Sequence, residues 1–156
     1  MCGISGIFDW NSLKNAEHIA SIMKDAQDHR GPDFNSTYRD ENILISHNRL
    51  SIIDLDHHSN QPMHSNLGDV VISYNGELYN YLNLKSELEA TYSFKTQSDT
   101  EVIIASYLKW GIRMLDRFEG MFAFALWDKA KKQLFLVRDR MGVKPLYFCL
   151  LYTSPS

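Results

Sequence analysis

The chain opens Met1-Cys2-Gly3-Ile4, so removal of Met1 leaves Cys2 carrying both a thiol and a free α-amino group. One residue then holds a nucleophile and a base. A thiol ordinarily titrates near about 8.5 and a chain-terminal amine near about 7.7–8.0, so close to neutrality the amine can take the thiol proton. The thiolate is the attacking species, and this pairing is one way to activate it. The plainer reading is a small residue ahead of a buried strand. His29 and His47 are alternative bases, in a cysteine–histidine arrangement for which Met1 removal is irrelevant. Asp56-His57-His58 with His64 offers metal-ligand types, but the spacing matches no closed zinc pattern and reads as a loop, so no metal site is expected. Cys149 is expected in or near a final strand and inert, and the sequence leaves open a disulfide to Cys2.

The elements that must position Cys2 follow from pattern. The chain has 156 residues, 44% hydrophobic and 22% charged, which suits one globular domain with a core. A net charge of −3 without a Lys/Arg run argues against a nucleic-acid surface. No apolar stretch approaches the roughly 20 residues that cross a bilayer, and no secretory leader is apparent. A reducing cytoplasm is the expected compartment, which also keeps Cys2 reduced.

Strands are expected at 3–8, 43–46, 50–53 and 70–74, the last stopped by the turn dipeptide Asn75-Gly76. A hairpin is expected from 120–128 and 133–139 about a charged tip, and a further strand at 146–151. Helices are expected at 16–27, on the period of Ile19, Ile22, Met23 and Ala26, at 82–89, at 100–109 and briefly at 114–117. Ser98 or Asp99 caps the third of these. Paired strands with a central helix cluster predict an α+β fold rather than alternating βα units. Residues 151–156 bring no periodicity and are set aside as a non-family tail or scar.

Several polar segments exceed what core strands need. They are Arg30-Gly31-Pro32-Asp33, the run from His47 to Asp54, Gln61-Pro62-Met63, the run from Tyr74 to Asn80, and Ser98-Asp99-Thr100-Glu101. With Cys2-Gly3-Ile4 their order and spacing resemble the glutaminase domain of asparagine synthetase, a class II glutamine amidotransferase of the N-terminal-nucleophile hydrolases. Gly120 to Asp128 and Arg138 to Tyr147 resemble the same family. The resemblance implies a four-layer αββα sandwich over residues 1–150, shortened at its C-terminal end.

It also implies roles. Cys2 attacks the side-chain amide of glutamine and its amine shuttles the proton. Asn75 and the Gly76 N–H form the oxyanion hole. Arg49 grips the substrate α-carboxylate, and Glu77 and Asp99 hold its α-ammonium. Glutamine is a zwitterion with a neutral amide at its far end. One cation, one or two anions and donors for a developing oxyanion therefore suit it. Taken singly, Asn75-Gly76 also reads as a hairpin turn, Asp99 as a helix cap, Arg49 as a surface ion-pair partner, and Arg30 with Asp33 as a local structural pair. The implied partners are glutamine and a synthetase domain or subunit that receives ammonia, with no nucleic acid and no membrane. A homodimer is left open. No cofactor is implied for the glutaminase step. ATP and Mg²⁺ belong to the synthetase part, and no P-loop pattern occurs in this chain. The rival function is a catalytically silent glutamine-binding regulatory module. An N-terminal-nucleophile amidase acting on another amide is a third reading, which the charged residues disfavour.

Overall fold

The hydrophobic runs become two antiparallel sheets in the computed structural model, which describes residues 2–10, 13, 16–50 and 59–150. In chain order the elements are β1 (Gly3–Phe8), α1 (Ala16–Ala26), β2 (Phe34–Arg39), β3 (Ile43–Arg49), β4 (Met63–His64), β5 (Val70–Leu78), α2 (Tyr81–Leu88), α3 (Asp99–Trp110), β6 (Gly120–Asp128) and β7 (Gln133–Arg138). One sheet has the order β1-β3-β2 and the other β4-β5-β6-β7. Short 3₁₀ turns follow α1 at Asp28–Arg30 and α3 at Gly111–Arg117.

Alternation sorts the side chains into layers. Ile43 and Ile45 of β3 meet Val71 of β5 and Trp127 of β6, with Phe8 and Tyr38 beside them, and this contact seals sheet to sheet. Leu44 and Ile7 turn the other way, onto Ala16 and Ala20 of α1. On the far side of the second sheet, Ile72, Tyr74 and Leu78 pack with Leu84 and Leu88 of α2 and Val102 to Ala105 of α3. The layers are therefore helix, sheet, sheet, helices, the α+β sandwich expected. Each large side chain fully buried in these seams is worth about 1.5–3 kcal/mol.

α3 forms where its signals say. The Ser98 side chain accepts from the Thr100 N–H at 3.1 Å, Asp99 and Glu101 occupy the first turn, and Gly111 closes the helix at φ 60°. α1 departs from expectation in its buried face. Ala16 and Ala20 are buried, whereas Ile19 and Ile22 are exposed. The small residues lie one turn apart, so they share a face and let the helix close on Leu44.

Three differences from the sequence reading bear on function. β5 does not stop before Asn75-Gly76: it pairs with β6 from Val70↔Asp128 through Leu78↔Gly120, so the dipeptide is strand, not turn. β3 likewise continues through His47-Asn48-Arg49, held by β1 on one side and β2 on the other. β2, a largely exposed polar edge strand, and the two-residue β4 were not foreseen. No strand forms over 146–150, while the strand expected at 51–53, the residue Leu151 and the tail lie outside the described residues.

Candidate active site

Parity along the strands places Cys2. Phe8 packs between the sheets and Ile7 on α1, so Cys2, Ile4 and Gly6 share the face turned toward the second sheet. On β3, Ile43, Ile45, His47 and Arg49 share that same inner face. The β1–β3 register ends at Gly3↔Asn48, and one step further sets Cys2 opposite Arg49. Cys2 is half-buried, its thiol lies 3.8 Å from the Leu50 carbonyl, and both cysteines are free.

β5 faces them. Val71 and Ser73 look inward, which puts Asn75 and Glu77 on the inner face too. Ser73 Oγ donates to the Ser46 carbonyl at 3.3 Å, and His47 Nε2 lies 3.2 Å from the Tyr74 carbonyl. β3 and β5 thus advance together across the gap.

The backbone of β5 explains why Asn75-Gly76 matters. Its odd-numbered residues turn their N–H and C=O toward β6: Tyr79 N–H donates to Glu119 O at 2.7 Å, and Lys129 N–H donates to Asp69 O at 2.9 Å. The even-numbered residues turn theirs to the opposite edge, where β4 pairs only at Met63↔Ile72 and His64↔Val71. Past β4, side chains take over. Tyr74 N–H donates to Gln61 Oε1 at 2.6 Å, and Leu78 N–H donates to Asp99 Oδ2 at 3.0 Å. Between them the Gly76 N–H points out of the same open edge, and among the described residues no side chain accepts it. A donor held rigidly in a strand and lacking a partner is what a developing oxyanion requires. Only glycine fits there: a Cβ on residue 76 would lie 2.4 Å from Met121 O and 2.7 Å from Phe122 Cα.

Asp99 and Glu77 lie together at this edge. Asp99, the first residue of α3, is fixed by the Leu78 N–H and by the Tyr74 hydroxyl, which donates at 2.8 Å. Burial raises the Asp99 carboxyl pKa above its ordinary 3.8, the Leu78 and Tyr74 donors work against that, and Glu77 adds to it. A cation here relieves the strain of a buried, ionised carboxylate. The Tyr74 hydroxyl is pushed well above its ordinary range by burial, then by the charges of Asp99 and Glu77, then by Cys2. Tyr74 thus lies within electrostatic reach of all three. Arg49 is buried, and its guanidinium donates to Asn60 Oδ1.

Two other residues have partners that the sequence does not show. Arg30 Nε donates to the Cys2 carbonyl at 3.3 Å, so Arg30 anchors the strand that carries the thiol. The sequence suggests a local pair with Asp33. Asp33 instead donates its N–H to the Arg49 carbonyl at 3.1 Å, so the segment clasps β1 and β3 at the Cys2 end. The second is Gln61, which no sequence pattern marks as more than part of a motif.

The alternative bases fare differently. His29 is exposed in the 3₁₀ turn. His47 is fully buried, and burial chiefly, with the Arg49 charge, lowers its pKa from 6.5 to about 4 despite the bond to Tyr74 O. It is a neutral donor to the strand rather than a base poised at pH 7. Of the histidine cluster, His64 is exposed and stacks edge-on against Tyr38, while Asp56, His57 and His58 lie outside the described residues. Cys149 is exposed and lies outside any strand, where a position in or near a final strand is expected.

Residues 1–154 match the glutamine amidotransferase domain family. The chain belongs to that family. Asparagine synthetase [glutamine-hydrolyzing] 2 of Bacillus subtilis is 43% identical over 151 residues, covering 95% of this chain and 20% of the relative. Asparagine synthetase B [glutamine-hydrolyzing] of Escherichia coli is 40% identical over 152 residues, covering 94% of this chain and 26% of the relative. Amidase chry2 of Gibberella zeae is 36% identical over 160 residues, covering 95% and 24%. This amidotransferase chain therefore spans about a quarter or less of the curated relatives named here. Among the described residues no helix is long and apolar enough to cross a membrane.

Proposed function

We propose that this domain hydrolyses glutamine to glutamate and ammonia through a thioester at Cys2. The observation that carries the reading is the open edge of β5. It leaves the Gly76 N–H beside Asn75, on the strand that confronts Cys2 and Arg49, with Asp99 and Glu77 at its end. Free glutamine fits in one orientation. Its carboxylate lies on Arg49 and its ammonium on Asp99 and Glu77, so its carboxamide reaches Cys2.

With Met1 removed, the Cys2 amine takes the thiol proton as sulfur adds to the carboxamide carbon. The Gly76 N–H and the Asn75 side-chain amide meet the oxygen as it becomes negative. Losing one such donor typically costs about 2.7–4 kcal/mol of barrier. The amine returns the proton to the departing nitrogen, the C–N bond breaks, and ammonia leaves. Water then adds to the thioester by the same route and frees glutamate. Asparagine is one methylene shorter. Held at both charged ends it does not reach the sulfur, a stronger filter than the roughly 1–3 kcal/mol that a methylene alone supplies.

Two of the relatives reported are named as glutamine-hydrolysing asparagine synthetases, and we extend this to the chain: its ammonia goes to a synthetase partner that activates an acceptor with ATP and Mg²⁺. The glutaminase step draws on the residues named and on no cofactor. A free Cys2 thiol suits a reducing cytoplasm. Incubation with glutamine and measurement of glutamate tests the proposal. Release that Cys2→Ala abolishes, while that variant still binds glutamine, supports it. No release from protein whose Met1 is shown by mass to be gone overturns it in favour of a silent glutamine-binding module.

A further inference from the structure

Gln61 is a buried polar side chain outside the reacting groups, and each of its polar ends is committed to a different element. Its Oε1 accepts the Tyr74 N–H of β5 at 2.6 Å, and its Nε2 donates to Thr100 Oγ1 of α3 at 3.2 Å. Its main-chain carbonyl accepts from the Ser36 hydroxyl of β2, in the other sheet. Tyr74 precedes Asn75, and Thr100 follows Asp99. A second link runs between the same two elements, from the Tyr74 hydroxyl to Asp99 Oδ2, which also accepts the Leu78 N–H. Gln61 and Asp99 therefore hold β5 and the start of α3 together in a closed ring of hydrogen bonds around the open edge.

We infer that Gln61 is a positioning residue for the reaction, an inference that rests on the proposed glutaminase activity. Its two amide ends set the distance between the oxyanion donor on β5 and the ammonium-binding carboxylate at the N-terminus of α3. The ammonium and carboxamide of glutamine are joined by a fixed number of bonds. A change in the separation of Gly76 and Asp99 must therefore spoil one contact whenever the other is made. β4 has ended before Tyr74, so no neighbouring strand supplies the acceptor that Gln61 provides. Without it the Tyr74 N–H is left buried and unpaired, and β5 shifts to relieve that cost.

The test uses the full chain with Met1 removed and four variants. Gln61→Met keeps the length of the side chain but neither hydrogen bond. Thr100→Val removes only the helix arm, Thr100→Ser restores it, and Ser36→Ala removes only the link to the other sheet. Expected are a rise of about tenfold or more in the glutamine KM for Gln61→Met, with a fall in kcat, and a smaller KM rise for Thr100→Val that Thr100→Ser reverses. Alkylation of Cys2 by iodoacetamide, which uses no pocket contact, stays at the parent rate in all four. Amide exchange at Tyr74 accelerates in Gln61→Met and is unchanged in Ser36→Ala. Parent values of KM and kcat in Gln61→Met overturn the inference. So does a loss of turnover that only tracks a loss of folded protein, and so does unchanged Tyr74 exchange. A parent chain that releases no glutamate refutes the glutaminase reading instead, and Tyr74 exchange with glutamine affinity then decides the role of Gln61.

Discussion

Acidification should strip stability from this fold through His47, and the size follows from its surroundings. Tyr74 O can only accept, so His47 Nε2 carries the proton and donates across the sheet seam. Nδ1 is buried with no partner among the described residues. Burial penalises the protonated ring, the Arg49 charge adds to that, and the pKa drops from 6.5 to about 4. The sign is that of a depressed base. Above about pH 6.5 neither state holds the proton. Below it the unfolded chain does and the folded chain does not, so stability falls until about pH 4. Each pH unit in that window costs about 1.4 kcal/mol, or about 3 kcal/mol across it. His47→Gln keeps a donor for Tyr74 O but does not titrate. Urea unfolding of both proteins from pH 7 to pH 4 isolates the effect, since carboxylates common to the two cancel in the difference. The variant should gain about 3 kcal/mol on the parent over the range, about 1 M urea or more in midpoint. Parallel stability curves refute the reasoning. The same variant should still turn over glutamine at pH 7. A folded variant without turnover assigns the base to His47.

Arg49→Ala should weaken glutamine binding by about tenfold to a hundredfold, the worth of a charge-assisted pair, with less effect on kcat; calorimetry and steady-state kinetics check it. An unchanged affinity removes the proposed carboxylate grip. Asp99→Asn should separate stability from function. The raised carboxyl pKa means that the folded state is penalised as pH rises through it, so at pH 7 the uncharged amide should melt no lower than the parent. Glutamine affinity in the same variant should fall, and a variant that loses melting temperature but keeps affinity contradicts the role given to Asp99.

Local pattern made much of this legible. The capped start of α3 and the β6–β7 hairpin are short-range signals, and the structure has both where the sequence puts them. The layered α+β sandwich followed from the clustering of strands and helices. What failed failed for lack of long-range information. Asn75-Gly76 has turn residues but strand geometry, because β6 pairs along its whole length and only glycine lets the strands approach at residue 76. The open edge beside Gly76 depends on where β4 ends, and β4 is too short to read from sequence. Arg30 and Gln61 act on carbonyl and amide groups 28 and 13 positions away. On α1 the helical period points to the isoleucines, yet Ile19 and Ile22 are exposed and the alanines make the contact.

Cys2 is the proposed nucleophile of a pocket that recognises free glutamine. A glutamine analogue carrying an electrophilic ketone in place of the carboxamide, followed by peptide mapping, addresses this directly. One label on the N-terminal peptide at Cys2, slowed by excess glutamine, with the more exposed Cys149 untouched, is the result expected. Labelling of Cys149 instead, or labelling of Cys2 that glutamine does not slow, contradicts it.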